Sequence, residues 1–127
     1  MVTSNTQILV VDDEPLMCNA LCRILENEGY KVTTVPNGEK ALEIIKDKQQ
    51  DVVLLDVVMP GIDGREVCHK TREFSPETQV IYFTAKVEPI NVSKVQELRH
   101  EADAFITKPA TSRQILSKVN SVLQGSR

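Results

Sequence analysis

Five side chains in this 127-residue sequence have the types needed for one chemistry: Asp12, Asp13, Asp56, Thr84 and Lys108. Three are carboxylates, one is a hydroxyl and one an ammonium. Each stands where a short apolar run stops. Two like charges about 4 Å apart cost on the order of 4 kcal/mol at an effective dielectric near 20, so three ionised carboxylates brought together require a cation. Carboxylate oxygens, a carbonyl and water are the ligands that Mg²⁺ prefers, and that ion commonly bridges to a phosphate. With Asp56 as the nucleophile, its carboxylate attacks phosphorus and becomes an aspartyl phosphate. Lys108 then neutralises one phosphoryl oxygen and Thr84 donates a hydrogen bond to another, the fixed positive groups and donors that phosphoryl transfer needs.

The elements that must position these residues are legible in the hydrophobic pattern. Residues 8–11, 52–55 and 80–83 are short, largely β-branched or aromatic runs, as expected of strands buried on both faces, and 32–35 and 104–106 are weaker strand candidates. Helical patterns lie between them. Pro15 opens the first, Leu16, Ala20, Leu21, Ile24 and Leu25 form its expected stripe, and Gly29 is placed to end it. The second spans 39–46 with Ala41, Leu42, Ile44 and Ile45, after a Pro36-Asn37-Gly38 turn; the third spans 65–74 and stops ahead of Pro76. A fourth is expected over 87–100. The last is capped by Thr111 or Ser112 and carries Ile115, Leu116, Val119, Val122 and Leu123 on one face.

Five βα units in succession predict an α/β fold, a parallel sheet with helices on both faces, because right-handed crossovers place them there. In such sheets ligands bind beyond the carboxyl ends of the strands, where strand order reverses. Asp12-Asp13, Asp56, Thr84 and Lys108 all fall at such ends. Aspartate is also common at ordinary caps and turns, so it is the convergence of the set that points to a site.

Composition narrows the classes further. The chain is 41% hydrophobic and 26% charged, as for a folded domain, and its formal charge of −3 offers no general attraction to nucleic acid or a membrane surface. No apolar run reaches the length of a membrane span and residues 1–7 do not resemble a secretory signal, so a cytoplasmic location is expected. Cys18, Cys22 and Cys68 are an odd set without finger-like spacing, expected as small core residues rather than a disulfide or metal framework. His69 and His100 are expected on helix surfaces.

The motifs Asp12-Asp13, Asp56 with Met59-Pro60-Gly61-Ile62-Asp63-Gly64, Thr84-Ala85 and Lys108-Pro109 occur in order on successive elements. Over about residues 7–124 the chain resembles the receiver domains of bacterial two-component response regulators. The resemblance implies a single receiver domain across 1–127 with a doubly wound five-stranded sheet of flavodoxin-like order 2-1-3-4-5. It implies that Asp56 accepts a phosphoryl group from a sensor histidine kinase or histidine phosphotransfer protein. Asp13 and Asp56 would ligate Mg²⁺, for which Mn²⁺ can substitute, with Asp12 acting mostly through water and Val58 through its backbone carbonyl. Lys108 and Thr84 would bind the phosphoryl group. Thr84 and the aromatic Phe105 would be the switch residues, reshaping the face of the fourth helix, fifth strand and fifth helix toward an output protein or fused effector domain. No enzymatic turnover beyond self-phosphotransfer and autodephosphorylation is implied, nor direct contact of this domain with nucleic acid or membrane.

Four features depart from the family pattern. Glu101 occupies a position usually held by Gly, which predicts a backbone turn that must accept a side chain. Val58 and Lys86 flank the site where the family tunes phosphate lifetime. Ala110 replaces a bulky apolar residue, and the 87–100 segment is about two residues longer than the commonest spacing. Two rival functions fit less well. A phosphatase of the haloacid-dehalogenase type requires a second Asp two residues beyond its nucleophile, where Asp56 is followed by Val57-Val58. A receiver-like interaction module that has lost phosphorylation would have no need of all five site residues.

Overall fold

The five apolar runs form strands: β1 (Gln7–Val11), β2 (Lys31–Val35), β3 (Val52–Leu55), β4 (Gln79–Ala85) and β5 (Ala104–Lys108). The computed structural model describes residues 5–57, 64–85 and 101–125; the helix expected over 87–100 lies outside them, as do Val58, residues 59–63, Lys86 and His100. Four helices occur among the described residues: α1 (Pro15–Asn27), α2 (Gly38–Asp47), α3 (Gly64–Phe74) and the last helix, α4 (Ser112–Gly125). All strand pairs are parallel and the sheet order is β2-β1-β3-β4-β5, the flavodoxin-like order that the resemblance implied.

Because successive strand residues point to opposite faces, each apolar run fills two cores at once. Ile8, Val10, Leu54, Ile81 and Phe83 face Leu21 and Leu25 of α1 and Ile115 and Val119 of α4. Leu9, Val11, Val53, Leu55, Val80 and Tyr82 face Ala41, Leu42 and Ile45 of α2 and Val67 and Cys68 of α3. Burial of each Val, Leu or Ile side chain contributes about 1.5–3 kcal/mol, so these continuous runs are stable only as central strands covered on both sides.

Local signals set the helix ends. Pro15 begins α1, and Gly29, at φ +93°, lies just past its end in the left-handed conformation that Gly adopts without a steric penalty. Asn37 caps α2 by accepting from the Lys40 N–H at 2.9 Å. At α4 the Thr111 hydroxyl accepts from the Gln114 N–H, and the Gln114 side chain accepts in return from the Thr111 N–H, a reciprocal capping box. One expected stripe needs correction. Leu16 is 83% exposed and Ala20 is exposed, whereas Cys18, Leu21 and Leu25 are buried with Met17 and Ile24 packed beside them. At 3.6 residues per turn, the buried set at 18, 21 and 25 turns 16 and 20 outward.

Candidate functional site

Strand order reverses between β1 and β3, and the two buried aspartates stand just past the ends of these strands. The sheet itself fixes their backbones. The Asp12 N–H donates to the Val35 carbonyl at 3.2 Å, and the Asp56 N–H donates to the Val11 carbonyl at 3.0 Å, extending the ladder by one residue on each side. Asp12 is 2% and Asp56 6% exposed, while Asp13 is exposed. Carboxylate oxygens of Asp12, Asp13 and Asp56 all lie within 4.8 Å of one another, the group among the described residues that could hold a metal ion.

Lys108, the last residue of β5, reaches this group from the far side. Its Nζ donates to Asp12 Oδ2 at 2.7 Å and to Asp56 Oδ2 at 3.3 Å. Burial alone would lower the Lys108 pKa; the hydrogen bond to Asp12 and the charges of Asp56 and Asp12 outweigh it, so the ammonium is held above its ordinary 10.5. One ammonium against three carboxylates leaves two negative charges in excess, which a divalent cation would balance. The oxygen-only donors and one exposed member, open to water, fit a hard ion that keeps part of its hydration shell. Asp12 is further tethered: Oδ1 accepts from the Glu14 N–H at 3.0 Å, and its carbonyl accepts from the Cys18 thiol at 3.2 Å. Cys18 thus serves the site through packing and a backbone contact. Burial, followed by the Asp12 charge, pushes its thiol pKa up, which makes it a poor nucleophile.

Thr84 precedes the end of β4 and pairs in register with Thr107, next to the Ala85–Lys108 pair, so its backbone is at the same edge of the sheet. Phe105, three residues before Lys108, is half-buried on β5 with its ring edge-on to Tyr82 at 6.4 Å. The Val58 carbonyl expected as a ligand and the Lys86 position are outside the described residues. Ala110 packs against the core shared with α4.

The parts played by four residues, Gly64, Arg65, Tyr82 and Glu101, escaped sequence reasoning. Gly64 has a steric role beyond the turn: a Cβ there would stand 2.7 Å from Val57 Cα and 2.8 Å from the Asp56 carbonyl oxygen, so the chain leaving Asp56 packs directly against the start of α3. The backbone at Glu101 accepts a side chain, and that side chain is not left fully in solvent. The Glu101 side chain instead accepts from Arg65 of α3, with Nε at 2.9 and 3.0 Å from its two oxygens, and from the Tyr82 hydroxyl at 3.0 Å. The signal that could have found this is Tyr82 itself: a tyrosine inside an apolar strand must find a partner for its hydroxyl.

The family model described as "Response regulator receiver domain" matches residues 8–120. The transcriptional regulatory protein ResD of Bacillus subtilis is 38% identical over 122 residues, covering 96% of this chain and 50% of ResD, so the chain spans half the length of that curated relative. A CheY-like receiver domain protein from Methanospirillum hungatei superposes with a TM-score of 0.87 at 30% identity, covering 97% of each chain. Response regulator protein TrrA from Thermotoga maritima, in complex with Mg(2+)-BeF, superposes with a TM-score of 0.81 at 33% identity over 92% of this chain and 98% of that one.

Proposed function

The chain belongs to the response-regulator receiver family of two-component systems, and from that premise we propose that it is a phospho-accepting switch with Asp56 as the acceptor. The observation that carries the reading is the buried Asp56 carboxylate, set among Asp12 and Asp13 and 3.3 Å from the Lys108 ammonium. A sensor histidine kinase or histidine phosphotransfer protein is the donor class: its phosphoimidazole P–N bond breaks as the P–O bond to Asp56 forms. Mg²⁺, or Mn²⁺ in its place, would be held by Asp12, Asp13, Asp56 and the Val58 carbonyl, and would supply charge neutralisation at the phosphoryl oxygens. The complex of TrrA with Mg(2+)-BeF supports that assignment.

The chain's own residues do the rest. Asp56 is the nucleophile, Lys108 passes from its carboxylate contacts to a phosphoryl oxygen, and Thr84 donates to another. Thr84 and Phe105 then carry the change to the face that includes β5 and α4, where an output protein or a fused effector domain reads it. Residues 1–127 act as one receiver domain, with signalling rather than substrate turnover as its activity, and the cytoplasmic location belongs to the same proposal.

Intact mass after incubation with acetyl phosphate or phosphoramidate, with and without Mg²⁺, tests this reading. The expected result is a Mg²⁺-dependent gain of one phosphoryl group that disappears in Asp56→Asn while the fold persists. No gain under any condition, or label persisting on that variant, would overturn it.

A further inference from the structure

Glu101, where the chain departs from its family, is held from two sides by α3. Its carboxylate is gripped by the Arg65 guanidinium, including a close Nη2 contact to Oε2. Its carbonyl accepts from Arg72 Nη2 at 2.8 Å and from the Cys68 thiol at 3.6 Å. The same carboxylate receives the hydroxyl of Tyr82, a fully buried residue of β4. Tyr82 is the register partner of Phe105 on β5, and the two rings meet edge to face with an interplanar angle of 79°. A continuous line of contacts therefore runs from Arg65, beside the Gly64 that packs on the Asp56 carbonyl, through Glu101 and Tyr82 to Phe105.

Hydrogen bonds to an ionised partner, with a bidentate guanidinium behind it, are the strong and directional kind, so the Tyr82 ring has little freedom to shift. The line is seen with Lys108 engaged on Asp12 and Asp56, contacts that a phosphoryl group on Asp56 would compete for. We propose that Arg65, Glu101 and Tyr82 form a latch that holds Phe105 in its pre-transfer seat and thereby sets how readily this receiver switches. The inference rests on the reading of Phe105 as the mobile aromatic. Arg65 and Glu101 are positioning residues, acting on Phe105 through Tyr82. A latch that stabilises one of two states must weaken, by the same factor, any ligand that selects the other.

The test uses two variants and two readouts. Tyr82→Phe removes the hydroxyl and leaves the ring; Glu101→Gln keeps an acceptor for that hydroxyl and drops the charge matched to Arg65. Phe105 ring resonances are followed by NMR without ligand, and beryllofluoride, a phosphoryl mimic, is titrated in the presence of Mg²⁺. Tyr82→Phe is expected to shift the Phe105 resonances and to tighten beryllofluoride binding by about fivefold or more, with Glu101→Gln between it and wild type. Unmoved Phe105 resonances, or affinities of both variants within about twofold of wild type or weaker, would overturn the latch while leaving the receiver reading in place. Failure of the wild-type protein to bind beryllofluoride with Mg²⁺ would overturn both at once, and so is distinguishable from failure of the latch alone.

Discussion

At the scale of single residues, the site is a problem in charge balance. Lys108 holds Asp12 and Asp56 in a region where both are almost withdrawn from water. Its removal should therefore act on chemistry more than on folding, because the carboxylates it leaves can still recruit a divalent cation. In Lys108→Ala, labelling of Asp56 by acetyl phosphate in Mg²⁺ should slow by on the order of 10²-fold, the usual consequence of deleting one fixed donor at a developing charge. Stopped-time intact mass measures that rate directly, and labelling at the wild-type rate would remove Lys108 from the mechanism. Asp13 is the exposed carboxylate of the group, beside the buried pair Asp12 and Asp56.

At the scale of elements, what matters is how closely α3 is set against the sheet. A methyl group at position 64 would collide with backbone atoms of Val57 and Asp56, which have no flexible end to give way. Gly64→Ala should cost about 1–3 kcal/mol in urea unfolding, the range for forced overpacking, and should also slow Asp56 labelling by displacing the acceptor's own backbone. Unchanged stability would mean that the start of α3 can move aside. The ion pair between Arg65 and Glu101 makes a second tie, with a pH signature. Arg65 chiefly, then the Tyr82 hydroxyl, hold the Glu101 carboxyl below its ordinary 4.5 against the opposing effect of burial, and the nearby His69 acts in the same direction as Arg65. A depressed folded-state pKa stabilises the fold above the unfolded value and is lost as pH falls through the folded one. Stability should accordingly fall from about pH 4.5 downward more steeply in wild type than in Glu101→Gln. Parallel acid-unfolding curves for the two would count against the tie.

At the scale of the whole molecule, the two cores share one sheet, so a ligand that holds the ends of β1 and β3 together should stabilise the entire domain. Mg²⁺ binding to the folded state alone should raise stability by about 2.7 kcal/mol at a concentration roughly 100-fold above Kd. The gain should vanish in Asp13→Ala, with thermal unfolding as the measure; an equal gain in that variant would place the cation elsewhere. The order of strands and helices was readable from sequence because burial on both faces demands continuous apolar runs and burial on one face demands a helical period, and neither depends on distant residues. Asp12, Asp13, Asp56 and Lys108 were readable for a related reason: parallel βα topology sends every strand end to the same edge, so position in the chain already implies proximity. The partnership of Arg65, Tyr82 and Glu101 was not, nor the outward turn of Leu16. Those depend on which faces of α1 and α3 meet the sheet and on a hydroxyl finding its acceptor across 19 residues of chain, and only the packed structure decides which side chains meet at such a distance.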